Sequence, residues 1–385
     1  MPGFRSDHIN LIATNLRDRY KTGFPILKEL IQNADDAKAR SLAFGYHSGF
    51  GAQSQHPLLQ GPALWVLNDG EFSETDKRAI QSFGLNNKAG ESGSIGKFGL
   101  GMKSVFHLCE AFFYVAFDGH AKHGMLLNPW FDPQEEDLFQ NRWEQVAAED
   151  FDRLHTIVGE QHQGQPANSY LMLWIPLRMR QHVPPRNGNS YGAIIEKFPG
   201  DDASQELSFL HEPSLPGRIA SILPLLKSLE SVEFAGNQNA DGFKLKLALD
   251  ADSRRVDHKS RAMKATGIVQ ETRSRGEQLR FYVRQVAQPA SAPFQQLQRL
   301  DTWPKTMRQN ASGAREQVSD TSEAEGAVMI AHADGDVAHL QLRWAVFLPT
   351  EEGTQTYEAS FGSGKRRYQI VLHGQFFVDA GRRGR

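Results

Sequence analysis

The chain has 385 residues, enough for two or three domains that each bury a core. Its 39% hydrophobic and 23% charged residues are typical of a soluble protein, and the net charge of −2 excludes a dominant global attraction to nucleic acid or anionic membranes. The single cysteine, Cys109, excludes an intrachain disulfide and cysteine-based metal sites, and it favours a reducing, cytoplasmic compartment. Residues 1–8 lack the apolar core of a signal peptide, and no apolar run approaches the ~20 residues that span a bilayer.

The first informative stretch is a helix predicted over residues 25–37, where apolar residues recur at helical spacing and indicate one buried stripe. Glu29 and Asn33 are four residues apart and therefore share one face of this helix, and Gln32 and Asp36 form a second polar pair beside them. An amide oxygen is a suitable magnesium ligand, and a carboxylate can orient and deprotonate a water molecule. Taken alone, however, the pattern fits a solvated surface helix better.

Two strands are predicted after this helix. Residues 42–46 alternate between apolar and small or polar residues, which indicates a strand that faces a helix layer, and the apolar run at residues 64–67 indicates a buried strand. The second strand ends abruptly in a short polar turn formed by Asn68, Asp69 and Gly70.

A glycine-rich loop follows over residues 84–101, after a short helix predicted for residues 73–83. Its glycines leave the backbone amides unhindered, and it also carries Lys88 and Lys97. The loop leads directly into a helix predicted at residues 102–108, whose amino-terminal end attracts anions. The combination predicts a lid that binds phosphate groups.

The rest of the chain predicts a second domain. We predict a domain over residues 1–180, a linker rich in proline and glycine over 181–213, and an α/β domain over 214–385. A helix is predicted at 216–229, polar loops of poor order at 251–278 and 303–325, and acidic surface cover or an insertion at 131–153. Further strands are predicted at 112–117, 123–127, 170–175, 230–234, 242–249, 279–286, 326–332, 337–348, 368–372 and 376–378.

Three motifs now stand in a fixed order: Glu29-x-x-x-Asn33-Ala-x-Asp36-Ala37, then Asn68-Asp69-Gly70, then Gly93-x-x-Gly96-Lys-Phe-Gly99-Leu-Gly101. Together they resemble the GHKL ATPase superfamily, and the phrases ILKELIQNADDA, LWVLNDGEFSETD and IGKFGLGMKSVFHL are similar to its sacsin-type ATP-binding modules. The resemblance is dense over residues 5–117 and returns in part at 346–349 and 372–383. It implies an α+β, Bergerat-type two-layer sandwich with a mixed, mostly antiparallel sheet, followed by a transducer-like α/β domain.

The resemblance also implies roles for the metal-binding and base-binding residues. Glu29 would be the general base and Asn33 the magnesium ligand, with Asp36 behind them and Ala37 leaving room for the nucleotide. The adenine-binding carboxylate of the family corresponds to Asp69. If Gly70 is instead aligned with the family's glycine, Asn68 takes that place, so both residues stay candidates.

The phosphate groups and the second-domain cation complete the implied site. The phosphates would be held by the loop and the helix after it: Gly93, Gly96, Lys97, Phe98, Gly99, Leu100, Gly101 and the hydroxyl of Ser104. Arg382 and Arg383 are candidates for a cation that reaches the γ-phosphate, although a solvated basic tail fits them equally well. The Gly-Thr pair that the family carries before its closing strand has no counterpart, because Ser169-Tyr170 occupies that place.

The resulting functional hypothesis is a magnesium-dependent ATPase of low turnover. It would use ATP and Mg²⁺ to switch conformation and would act, like a chaperone, on protein clients or a partner subunit, without a membrane. Two alternatives stay open: a nucleotide-gated clamp on DNA or a bacterial defence component, and an ATP sensor that binds without hydrolysis. Balanced charge argues against a large DNA-binding face.

Overall fold

The computed structural model of the chain divides into two compact units. The first comprises residues 1–85, 100–215 and 232–245, and the second comprises residues 86–99, 216–231 and 246–385. The domain boundaries expected from the sequence stay predictions. The residues that the structure describes are 9, 12–14, 16, 22–73, 77, 101–132, 134, 138–161, 168–183, 193–195, 203–212, 214–235, 245–249, 254–256, 263–271, 278–289, 306–309, 315–318, 323–334, 338–345, 356–361 and 366–374.

The first unit combines one antiparallel sheet with short helices. Its regular elements are α1 (Phe24–Asp36), β1 (Ser41–His47), α2 (Pro57–Gln60), β2 (Ala63–Asn68), β3 (Phe112–Phe117), β4 (Lys122–Leu127), α3 (Ala148–Gln161), β5 (Tyr170–Pro176) and β6 (Ser231–Ala235). Its 3₁₀ helices are Gly51–Gln53, Gly101–His107, Phe139–Glu144, Arg180–His182 and Ala203–His211. The strands predicted from alternation and apolar runs in this region are thereby confirmed.

The strands of this unit lie in the order β6-β1-β2-β5-β3-β4. Hydrogen bonding is antiparallel between β1 and β2, between β2 and β5, between β5 and β3, and between β3 and β4. The predicted α+β class with a mostly antiparallel sheet is confirmed. Because successive side chains of a strand point to opposite faces, the register assigns each residue to one side of this sheet.

The face of the sheet that carries Phe112 and Tyr114 lies against the 3₁₀ helix Gly101–His107, which in turn packs against α1. The ring of Phe106, in the 3₁₀ helix Gly101–His107, lies 5.5 Å from that of Phe112, and α1 packs against this 3₁₀ helix. In strand register, Tyr114 lies opposite Leu173, and Leu173 opposite Val66. These residues therefore share the α1 face of the sheet.

Helical elements also lie against the opposite face. Phe113, which points away from Phe112, makes edge-to-face ring contacts with His56, at the start of α2, and with Phe151 of α3. The acidic stretch at 131–153, predicted as surface cover or an insertion, contributes to this core, because Trp143 is fully buried there.

The second unit is dominated by strands. Its described elements are α4 (Leu215–Ile222), the 3₁₀ helix Leu223–Leu225, β7 (Leu245–Leu249), β8 (Arg254–Val256), β9 (Met263–Glu271), β10 (Gln278–Pro289), β11 (Thr306–Gln309), β12 (Arg315–Val318), β13 (Glu323–Asp334), β14 (Ala338–Ala345), β15 (Thr356–Phe361) and β16 (Arg366–Gly374). The sheet order is β15-β14-β16-β13-β10-β9-β7, with β8 beside β9, and β11 pairs with β12. The pairing of β14 with β16 is parallel.

Two predictions for this unit are wrong. Residues 251–278 and 303–325, predicted as loops, contain the strands β8, β9, β11 and β12, because pairing with a neighbouring strand outweighs the polar composition. The helix predicted at 216–229 ends at Ile222 and continues only as a 3₁₀ turn, since Pro224 has no amide hydrogen to extend the helical ladder.

Candidate nucleotide-binding site

Helix α1 is buried on more than its apolar stripe. Gly23, with φ of 90°, caps its amino terminus, and Pro25 lies within the first turn, where a missing amide hydrogen costs nothing. The polar residues Lys28, Glu29 and Gln32 are buried together with the apolar ones. Buried polar side chains are found where an element packs against other groups, so this side of α1 is not the solvated surface that the pattern alone would fit.

Several buried polar atoms on α1 and its neighbour have no hydrogen-bond partner among the described residues. Gln32 is 0% exposed, and neither its amide nitrogen nor its oxygen is paired. The same holds for Nδ2 of Asn33 and for the hydroxyl of Ser104, which is 1% exposed. Native proteins leave few such atoms unpaired, so a ligand or bound water near α1 would supply partners for them; buried unpaired atoms also occur elsewhere among the described residues, for example on Gln140, Trp143 and Trp174.

The first two sequence motifs meet through their backbones at the end of α1. The carbonyl oxygen of Ala37 accepts a hydrogen bond from the amide of Glu71 at 3.0 Å. A Cβ atom placed on Gly70 would lie 2.7 Å from that same oxygen and 3.0 Å from Oδ1 of Asn68. A glycine is therefore required at this position, and its absent side chain lets the turn after β2 approach the end of α1.

The two candidate base-binding residues have different surroundings. Asn68 is 9% exposed and lies on the α1 face of the sheet, two residues after Val66, and its Oδ1 accepts the amide hydrogen of Gly70 at 3.0 Å. Oδ1 of Asp69 accepts the amide hydrogens of Arg40 at 2.8 Å and of Ser41 at 2.9 Å. The Asp69 carboxylate thus holds the turn that leads from α1 into β1.

A buried ion pair supports the carboxyl end of the 3₁₀ helix Gly101–His107. The fully buried guanidinium of Arg178 pairs with the carboxylate of Glu110 and donates to the carbonyl oxygens of Phe106, His107 and Cys109 at 2.7–2.8 Å. The last carbonyls of a helix have no following helical amide to accept from, and a cation at that end also complements the helix dipole.

Glu110 collects further donors in the same buried cluster. Nε1 of Trp130 and the amide of Ile194 each donate to it at 3.0 Å. Burial raises the pKa of Glu110, and the Arg178 guanidinium opposes that shift. The sequence analysis missed both residues; the only available signals were single charges directly beside apolar strands.

Tyr170, which stands where the family carries its Gly-Thr pair, belongs to the face of the sheet that points away from α1. Tyr170 lies opposite Phe117 in the register, and its hydroxyl lies 2.7 Å from Nδ1 of His155 in α3. Burial lowers the pKa of His155 to about 4. Tyr170 therefore interacts with α3, on the side of the sheet away from α1.

The remaining predicted site residues are distributed as follows. Asp36 and Ala37 are half-buried at the end of α1, and the backbone of Gly101 opens the 3₁₀ helix. The other loop residues and the two arginines lie outside the described residues: Gly93, Gly96, Lys97, Phe98, Gly99, Leu100, Arg382 and Arg383.

The described residues contain no group of three or more His, Cys, Asp or Glu side chains placed to hold a metal ion. None of the helices in that part of the chain has the length and apolar composition of a membrane span.

Comparison with known proteins shows what the segment that carries the motifs is similar to. Residues 7–182 match the model of the family described as Sacsin domain. Sacsin of Homo sapiens is 35% identical over 126 residues, which cover 28% of this chain and only 3% of sacsin. The 43K ATPase domain of Thermus thermophilus gyrase B, solved in complex with an aminocoumarin, aligns over 90% of this chain and 75% of its own at 11% identity and a TM-score of 0.32. The resemblance drawn from the motifs is confirmed: the matched segment, residues 7–182, is similar to the sacsin domain, and the chain spans only a small part of the length of sacsin.

Proposed function

We propose that the sacsin-type module binds ATP with magnesium and hydrolyses it slowly, as a conformational switch. The observation that carries the proposal is the buried polar side of α1. There the Glu29 carboxylate, 6% exposed, precedes Asn33 by one helical turn, beside a helix that follows a glycine-rich loop. A carboxylate kept from bulk water at such a place is suited to act on one bound water molecule.

The donor set of the site suits magnesium. Mg²⁺ prefers oxygen ligands and is commonly held by one or two protein groups together with phosphate oxygens. Nδ2 of Asn33 has no partner among the described residues, so no hydrogen bond from that atom fixes the carboxamide, and its oxygen can turn toward the metal. When bound, magnesium would neutralise phosphate charge and favour attack at the terminal phosphorus.

The chain's own residues would then have separate roles in binding and hydrolysis. Glu29 would accept a proton from the attacking water, and Asn33 would orient the metal and the phosphates. The Ser104 hydroxyl, buried and unpaired among the described residues, would donate to a phosphate oxygen from the 3₁₀ helix. A cation from Arg382 or Arg383, protein clients or a partner subunit, and a cytoplasmic location are further parts of this proposal; the resemblance and the composition are their support.

Two substitutions separate binding from hydrolysis. Glu29→Ala should retain ATP affinity and lose turnover by ~10²–10⁴, because the carboxylate acts on water rather than on the nucleotide. Asn33→Ala should weaken magnesium-dependent ATP binding itself. Glu149→Ala, which removes an exposed carboxylate from α3, is the matched control and should change neither quantity. Calorimetry measures affinity, and phosphate release under ATP saturation measures turnover.

The same measurements decide between the switch and its alternatives. If the natural chain binds ATP but releases phosphate no faster than Glu29→Ala, the module is a sensor that does not hydrolyse ATP. Salt-dependent DNA binding that strengthens with ATP would instead favour the clamp. If ATP does not bind to the folded chain, the proposal is wrong.

A further inference from the structure

The turn after β2 assigns different tasks to two neighbouring side chains. Asp69 directs one carboxylate oxygen to the amides of Arg40, directly before β1, and of Ser41, the first residue of β1. A short side chain that accepts two successive backbone amides fixes the path of a turn. Asp69 therefore positions the connection between α1 and β1, and one of its two carboxylate oxygens is engaged before any ligand arrives.

Asn68 is buried on the α1 face of the same sheet, and its orientation is determined by its neighbour. The amide of Gly70 is a donor, so the carboxamide oxygen must face it, at 3.0 Å. The Nδ2 group is then on the other branch of the side chain, and no hydrogen bond from it is found among the described residues. With its oxygen engaged by Gly70, the carboxamide has only its Nδ2 donor to offer, so this position favours a ligand that offers an acceptor.

We propose that Asn68, and not Asp69, recognises the base of the nucleotide, and that it does so as a hydrogen-bond donor. This inference rests on the proposed nucleotide site. The ring nitrogen N1 of adenine accepts a hydrogen bond, and so does the O6 oxygen of hypoxanthine and guanine. The ligand class is therefore purine nucleotides in general, including 6-oxopurines. A carboxylate at the same position would select adenine, since it accepts from the 6-amino group and repels O6.

The inference is tested by calorimetric titration of ATP and ITP, with magnesium, into the natural chain and two nearly isosteric variants. ITP carries the 6-oxo group without the extra amino group of guanine, so it isolates the contact in question. The natural chain should bind ITP within about tenfold of ATP, and Asn68→Asp should raise the ratio of ATP to ITP affinity by about tenfold or more. Asp69→Asn can still accept the two backbone amides and should leave that ratio unchanged.

A third variant covers the case in which Asn68→Asp does not fold. Asn68→Ala removes the donor and should weaken ATP and ITP equally, with folding checked by thermal unfolding. The inference is overturned if the natural chain binds ATP and excludes ITP, or if Asp69→Asn changes the ratio while the Asn68 variants do not. If the folded natural chain binds neither nucleotide, both the inference and the proposed function fail; ATP binding with ITP excluded overturns the inference alone.

Discussion

Substitution of Gly70 by alanine tests whether the contact between the first two motifs holds the site together. The added Cβ would lie 2.7 Å from the carbonyl oxygen of Ala37, 3.0 Å from its Cβ and 3.0 Å from Oδ1 of Asn68. The closest of these atoms is backbone and already accepts the amide hydrogen of Glu71, so it cannot move aside without loss. Overpacking of this kind typically costs ~1–3 kcal/mol of folding free energy.

The exposed glycine of α3 supplies the matched control. An added Cβ at Gly159 meets nothing within 4 Å, and alanine replaces glycine in a helix with a gain of ~0.5–1 kcal/mol. Gly70→Ala should therefore lower the urea midpoint, and Gly159→Ala should leave it unchanged or raise it. Tryptophan fluorescence suits the first unit, since four of its tryptophans are buried: Trp65, Trp130, Trp143 and Trp174.

Nucleotide affinity is the second readout of this comparison. Gly70→Ala should also weaken ATP binding, because the displaced turn carries Asn68 and Asp69, whereas Gly159→Ala should not change it. A Gly70→Ala chain with the natural urea midpoint and the natural ATP affinity would refute the close approach of the two motifs. Loss of stability with unchanged affinity would confirm the packing and separate it from the site.

Two further predictions concern buried ionisable groups. Arg178→Met leaves the Glu110 carboxylate buried without its cation and should lower the free energy of unfolding in urea by about 3–5 kcal/mol. Glu110→Gln keeps an acceptor for Arg178 and should lower it by less. Equal losses for the two variants would contradict the stabilising role of the ion pair. Burial lowers the pKa of His155 and of His182 to about 4, while unfolded histidines titrate near 6.5. As the pH falls, these histidines therefore take up protons in the unfolded chain before they do so in the folded one. The free energy of unfolding should be highest above pH 6.5 and should fall as the pH decreases toward 4. Chemical denaturation across this range measures the effect, and His155→Gln should reduce the slope; a flat profile would contradict it.

The sequence was most informative where a local pattern and a local structure share one cause. Alternating and apolar runs predicted the strands of the first unit, because burial of one or both faces imposes that pattern on any strand. It was least informative at 251–278 and 303–325, where polar segments pair with neighbouring strands. Backbone hydrogen bonds in a sheet do not require an apolar sequence, so composition alone misassigned these segments.

For the candidate site, the sequence predicted which side chains share a helical face, whereas the folded structure shows which of their atoms already have partners. The spacing of Glu29 and Asn33 puts both on one helical face in any α-helix, whatever lies around it. No local pattern shows that Asp69 is engaged by the amides of Arg40 and Ser41, or that Gly70 touches Ala37, since these contacts join residues about 30 positions apart. Whether a polar atom is paired or left for a ligand depends on what folding brings beside it, and only the assembled structure contains that information.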